Sequence, residues 1–197
     1  GIIEKEINRV IVKTLDEQKS VALWDEAVDR IGRRDLEWID NEIGSYLSGT
    51  YGHDRVLVLG SDGSVIYEHD RQGNRRGAMR DLAAARPLLE EIRSGQARHW
   101  VKRDGKFSTL EASEDQLAGA SQLKAGANLL WLSDHAAVVS AMTVTPTHDL
   151  KLLQPRPPII VSVIDLNPAR LKLMGEDVNI RDLRLIKGDD GLIPISA

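Results

Sequence analysis

His53, His69, His99, His135 and His148 are the first residues to weigh for chemistry. They neither repeat at the four-residue helical spacing nor cluster as zinc ligands do, and no cysteine is present to complete such a set. A nucleophile elbow of the form G-x-S-x-G is missing. So is a glycine-rich phosphate loop ending in Lys-Ser/Thr, and so is a G-x-G-x-x-G opening a helix after a strand. Aspartates and glutamates are plentiful, but they fall on helix faces and in turns, and no two are marked out as an acid and base pair. The sequence therefore predicts no catalytic residue, no metal and no cofactor, and the chain is not expected to be an enzyme.

What remains is binding chemistry. Tyr51-Gly52-His53-Asp54-Arg55 is dense in polar and aromatic groups and lies between a helical region and the first strand. Asp54 can accept, and His53 and Arg55 can donate, hydrogen bonds to a small polar ligand, with Tyr51 as an amphipathic wall. The plainer reading is that Asp54 and Arg55 stabilise the turn into the strand by local hydrogen bonds or an ion pair. Trp24 and Trp38 lie fourteen residues apart, close to a whole number of helical turns, so on one continuous helix both would face the same way. Such rings pack helix against sheet more often than they touch ligands. Asp25, Glu26 and Asp35 flank them as solvated helix charges, with contact to a cationic ligand as the alternative.

The elements that must position these groups follow from hydrophobic period. Ile3, Ile7, Val10, Ile11 and Leu15 recur at helical steps, with Glu4, Glu6, Arg9, Lys13 and Glu17 on other faces. This stripe can seat against the chain's own sheet or against the same helix of a second copy. Val21 to Ile31 and Leu36 to Leu47 extend the helical pattern, with breaks near Ser20 and Gly32 and a stop at Gly49. The period then becomes two: Arg55–Leu59 and Ser64–Glu68 flank Asp62-Gly63, a strong hairpin turn. Ala78 to Ser94 reads as a helix kinked or restarted at Pro87 and ended by Gly95. Residues 102–128 read as a polar loop or short irregular helix able to act as a lid. Strands are expected at Leu129–Trp131, Ala136–Thr145 and Ile159–Asp165, a short helix at Pro168–Met174, and a last hairpin from Leu183–Lys187 and Leu192–Ile195. Helices first and an antiparallel sheet after, with one helical crossover, is an α+β order.

Composition narrows the function classes. The 197 residues are 42% hydrophobic and 28% charged, enough to bury a core. A net charge of −4 without a dense basic cluster argues against nucleic acid as a partner. The apolar stretches Ala136–Met142 and Pro158–Ile164 fall well short of the ~20 residues that span a bilayer. The chain starts at Gly1 without a signal-type segment, and reads as a piece of a longer protein.

Trp24-Asp25-Glu26-Ala27-Val28, Asp35, Trp38, Tyr51 through Leu59, Asp62 through Tyr67, and Ile159 through Leu166 together resemble the CHASE sensor domain of type four, over most of the chain. The resemblance implies a Cache/PAS-like fold. It also implies a periplasmic or extracellular position between two membrane helices of an inner-membrane receptor, those helices lying outside this chain. The attached cytoplasmic part in such receptors is often a GGDEF or EAL domain that makes or degrades cyclic-di-GMP, and sometimes a histidine kinase. It carries over no catalytic residue and no ligand.

Taken together, residues 1–50 are expected as a helical region packed on a PAS-like sensor core of residues 51–197, one sensor domain in all. An unidentified small molecule is expected between the sheet and the overlying segments, touching Trp38, Tyr51, His53, Arg55 and Ser140, and biasing the membrane-proximal helices. A homodimer through the Ile3, Ile7 and Val10 stripe would set the signalling state. The alternative is a ligand-free interaction or dimerisation module with a filled core.

Overall fold

The computed structural model describes residues 1–73, 77–94, 100–103, 106–109, 123–188 and 191–195. Its centre is a five-stranded antiparallel sheet. β1 (Arg55–Leu59) and β2 (Val65–Asp70) form the expected hairpin, followed across the sheet by β5 (Ala125–Leu132), β6 (His135–Thr143) and β7 (Ile159–Asp165). The strand order is β2-β1-β7-β6-β5. Counting only these five strands, that is the 2-1-5-4-3 order of a PAS-like sheet. β3 (Trp100–Arg103) pairs with β4 (Lys106–Thr109), and β8 (Arg184–Gly188) with β9 (Gly191–Ile195), each as a separate hairpin. The fold is α+β, as the element order predicts.

The first helix, α1 (Ile2–Ala22), runs 21 residues and lies on one face of the sheet. It ends where the chain is stitched to the region after β6: Trp24 N donates to Thr145 O (2.9 Å) and Thr145 N donates to Ala22 O (2.9 Å). Then come α2 (Asp25–Gly32), the single-turn α3 (Leu36–Ile39), a π-helical turn at Asp40–Gly44, and α4 (Ser45–Tyr51). Asp35 caps α3, its Oδ1 accepting from Trp38 N at 3.2 Å. The helical run ends at Gly52, with φ of 75°, rather than at Gly49, which lies inside α4. The π turn also carries a close packing contact. A Cβ on Gly44 would lie 2.0 Å from the Tyr67 hydroxyl, so only a bare backbone lets Tyr67 reach across to donate to Asp40 Oδ1.

Strand alternation divides the core into two layers. Val56, Val58, Ile160 and Met142 point toward α1–α4, where Leu15, Val28, Ile39 and Ile43 cover them. Leu57, Leu59, Val139 and Val161 point the other way, under α5 (Gly77–Arg93), which supplies Ala85, Leu88 and Ile92. α5 runs continuously through Pro87 rather than restarting there, and the apolar residues on either side of it anchor one helix to the sheet. A third cluster joins Ile7 of α1 to Val138, Ile164, Leu171 and Met174 of α6 (Pro168–Asp177), and Leu185 of β8.

Several expectations need correction. Leu23 and Trp24 break the helix, so Trp24 and Trp38 share no helical face. They meet nonetheless, with ring centroids 5.0 Å apart, because the chain folds back between α2 and α3. Of the Ile3, Ile7 and Val10 stripe, Ile7 is buried in the third cluster, and Ile3 and Val10 pack against it partly buried. Within 102–128, residues 102–103, 106–109 and 125–128 lie in strands rather than in a loop or helix, and 123–124 have no regular structure. The proposed lid otherwise lies outside the described residues, as do Gly95, His99 and the turn residues 189–190.

Candidate functional site

The sheet carries polar groups on both faces at one end of its central strands. On the α5 face, Arg55 opens β1 with its side chain buried among carboxylates. Its Nη1 and Nη2 donate to Asp165 Oδ2 and Oδ1 at 2.6 and 2.7 Å, and its Nε and Nη2 donate to the two oxygens of Asp81 on α5. Asp165 belongs to the β7 position that follows the β1 pairing, and Asp81 comes from the helix crossing above. Burial works against the Arg55 charge, but its hydrogen bonds to both carboxylates outweigh that and hold it firmly protonated. Burial pushes the Asp81 carboxyl up, opposed by Arg55, whereas Arg55 and His135 together bring Asp165 below its usual range despite burial.

His135, at the start of β6, completes the cluster. Its Nε2 lies 2.7 Å from Asp165 Oδ1 and its Nδ1 2.7 Å from Asp134 Oδ1. Burial alone would lower its pKa, yet the two carboxylates raise it above the ordinary value, since an imidazolium can donate to both. Next to this, Arg170 of α6 ties the strand ends together. Its Nη1 donates to Asp54 Oδ2 (2.6 Å) and to Asp165 O (2.7 Å), while Asp165 N donates to the same Asp54 oxygen (2.7 Å).

On the α1 face, two residues before Arg55, His53 is fully buried. Its Nδ1 is 2.9 Å from Ser162 Oγ on β7 and its Nε2 is 3.1 Å from Glu17 Oε1 on α1. A proton on Nε2 lets the ring donate to Glu17 and accept from the Ser162 hydroxyl, so one neutral tautomer serves all three groups. Burial, helped by Arg170 and Lys13, lowers the His53 pKa to about 4, and burial raises that of Glu17. The contact is therefore a hydrogen bond rather than an ion pair. One residue on, Gln18 Nε2 donates long hydrogen bonds to Ser140 O (3.4 Å) and Ile160 O (3.3 Å). Glu17 Oε2, Gln18 Oε1 and Ser140 Oγ are buried without a hydrogen-bond partner among the described residues.

The five expected ligand contacts do not line one described cavity, although Tyr51 and His53 are neighbours with ring centroids 6.4 Å apart. Trp38 stacks on Trp24, and Tyr51 lies exposed beside Tyr46, ring edge to face at 5.7 Å. His53 and Ser140 lie under α1, with Arg55 on the opposite face. Only Arg55 lines a described cavity, of about 540 Å³, which runs along edge strand β2 between Leu36 and Asp40 on one side and Ala78 on the other, with Leu57, Ile66 and Glu68 in its wall. Strand alternation would put residues two apart on one face, but His53 precedes β1, and the turn that follows the left-handed Gly52 sends His53 and Arg55 to different layers. Asp54 and Arg55 also do not pair with each other, each taking partners distant in sequence. Asp25 does not reach outward for a ligand. Its carboxylate accepts from the backbone N–H groups of Thr147, His148 and Asp149.

Sequence reading missed Glu17 and Gln18, assigned to outer faces or left aside. Yet Leu15, Gln18, Val21 and Ala22 fall at three- and four-residue steps, a signal that was present. Asp81, His135, Asp165 and Arg170 carried no local mark. A family model described as the CHASE4 domain matches residues 8–185. No curated protein matches the chain.

Proposed function

The chain belongs to the CHASE4 domain family, a family of extracytoplasmic sensor domains, and on that premise we propose that it reads a small molecule on the β2 and α5 side of its sheet and passes the result to α1. The observation that supports this is the arrangement of β1 and β7. Arg55 and Asp165 hold the cavity-side cluster on one face, and a few residues earlier on the same segments His53, held by Ser162, grips Glu17 of α1 on the other. A ligand that alters the Arg55 pairs shifts strands that α1 holds directly. The seam beneath α1 also contains buried polar atoms without partners among the described residues, which makes a second seating of the helix less costly than sliding a close-packed apolar interface. A ligand acts here only by binding one seating better than the other. In an inner-membrane receptor with this domain in the periplasm, α1 would relay the shift to a cytoplasmic output domain, with cyclic-di-GMP turnover as the readout.

A second reading has its own support. Both sheet faces are filled by α1–α4 and α5, and the described cavities lie at the margins. In that case the domain binds no small molecule and holds a receptor dimer or meets a protein partner. With Ile7 and Val10 committed inside the protomer, a dimer through α1 would use its outer positions, such as Ile2, Lys5 and Arg9.

The test is thermal unfolding of the purified chain against a library of amino acids, carboxylates and other metabolites, because binding to the native state raises the midpoint by mass action. A saturable shift that disappears in Leu36→Trp and Glu68→Arg, both exposed cavity positions, supports the sensor reading. A broad library without a shift supports the interaction reading.

A further inference from the structure

A larger cleft, of about 840 Å³, lies at another margin, between α6, β8 and the turn from β5 into β6. Its volume is in the range of pockets that enclose small organic ligands. Trp131, Leu166, Leu171, Ile180, Leu183 and Leu185 give it an apolar lining. None of the five expected ligand contacts borders it.

The charged groups at its mouth are mostly paired. Asp134 is held by His135 at 2.7 Å, and Lys172 stands 4.0 Å from Glu176. Arg181, Asp182 and Arg184 are exposed and have no partner among the described residues, leaving two guanidinium groups against one carboxylate. The segment that presents them is fixed. Ile180 N donates to Gly175 O at 2.7 Å, and Asn179 and Asp182 take left-handed φ of 57° and 50°. A Cβ on Gly175 would lie 2.5 Å from Ile180 O, so the close turn depends on glycine. The cleft thus has a hydrophobic interior, an aromatic wall and two unpaired, planar donors among its lining residues.

We infer that this cleft binds a small amphipathic carboxylate, its alkyl or aryl body against Trp131 and Leu171 and its carboxylate forked by Arg181 and Arg184. The occupant would rest on the same apolar cluster that holds Ile7 of α1, linking the cleft to the N-terminal half of that helix through packed side chains.

Decanoate is the probe, with decanol as the uncharged control, measured by titration calorimetry and by the emission of Trp131. Decanoate is expected to bind saturably and to change the emission in the parent chain but not in Trp131→Phe, which still binds calorimetrically. The double variant Arg181→Glu, Arg184→Glu, changed only at exposed positions, is expected to weaken decanoate by about tenfold or more while decanol is affected far less. No saturable binding, equal affinity for decanoate and decanol, or decanoate binding that survives the charge reversal would each overturn the inference. So would association with anionic phosphatidylglycerol vesicles in the absence of any binding to monomeric decanoate.

Discussion

Asp165 and Arg55 face each other as a two-pronged pair, Nη1 to Oδ2 at 2.6 Å and Nη2 to Oδ1 at 2.7 Å, across the junction of β7 and β1. The same guanidinium also serves Asp81, which is wholly buried, so one cation neutralises carboxylates from a strand and from the crossover helix. This geometry makes Arg55 structural as well as cavity-lining.

Arg55→Ala is expected to lower folding stability by about 3–5 kcal/mol, because it leaves Asp81 buried without its partner. Replacing both, Arg55→Met with Asp81→Leu, is expected to recover a large part of the loss, since packed apolar groups substitute well for a buried pair. Urea unfolding of the two variants checks this, and a double variant no better than the single one would refute it.

His53 gives stability a pH dependence on the acid side. Its folded pKa is depressed to about 4 from 6.5, so between those values the unfolded chain binds more protons, and stability falls as pH drops through that window. The loss attributable to this group is about 3 kcal/mol. Glu17 acts with opposite sign: its folded pKa is raised, so its contribution is complete below its ordinary 4.5 and fades as pH rises through the raised value. His53→Gln should flatten the acid limb in unfolding curves taken at pH 7, 5.5 and 4.5. An unchanged limb would mean that the buried imidazole does not control it.

For His135 the sign reverses. Its raised pKa means that its stabilising contribution is full below 6.5 and is lost as pH rises through the folded value. An imidazole titration followed by NMR should place it above the ordinary histidine range, and Asp165→Asn should bring it down by removing one of two carboxylate partners. Such a variant with an unmoved midpoint would show that Asp134 alone sets the shift.

Gly44→Ala is expected to destabilise the chain by about 1–3 kcal/mol, since the added methyl occupies the position of the Tyr67 hydroxyl and forces the ring from Asp40. Tyr67→Phe together with Gly44→Ala should lose less than the sum of the two single changes, because removing the hydroxyl relieves part of the clash. Strict additivity in thermal unfolding would argue against the contact.

The sequence by itself determined the elements whose signals are local. The β1–β2 hairpin follows from Asp62-Gly63 between alternating apolar residues, β7 from the unbroken run Ile159–Asp165, and α6 from Asn167-Pro168 at its start, where Asn167 Oδ1 does cap Arg170 N. Helices before an antiparallel sheet fixed the α+β class, and the spaced motifs from Trp24 to Leu166 carried the family. Only the tertiary structure decided which groups meet. Arg55 acquires Asp81 and Asp165 from 26 and 110 residues away, and His53 acquires Glu17 and Ser162 from 36 and 109. Nothing in a local window marks such partners, because they are selected by strand register and by which face each side chain takes. On β7 the odd spacing of Ser162 and Asp165 puts them on opposite faces, and the turn before β1 does the same for His53 and Arg55, so the two halves of the site, close in the chain, are separated by the full thickness of the sheet.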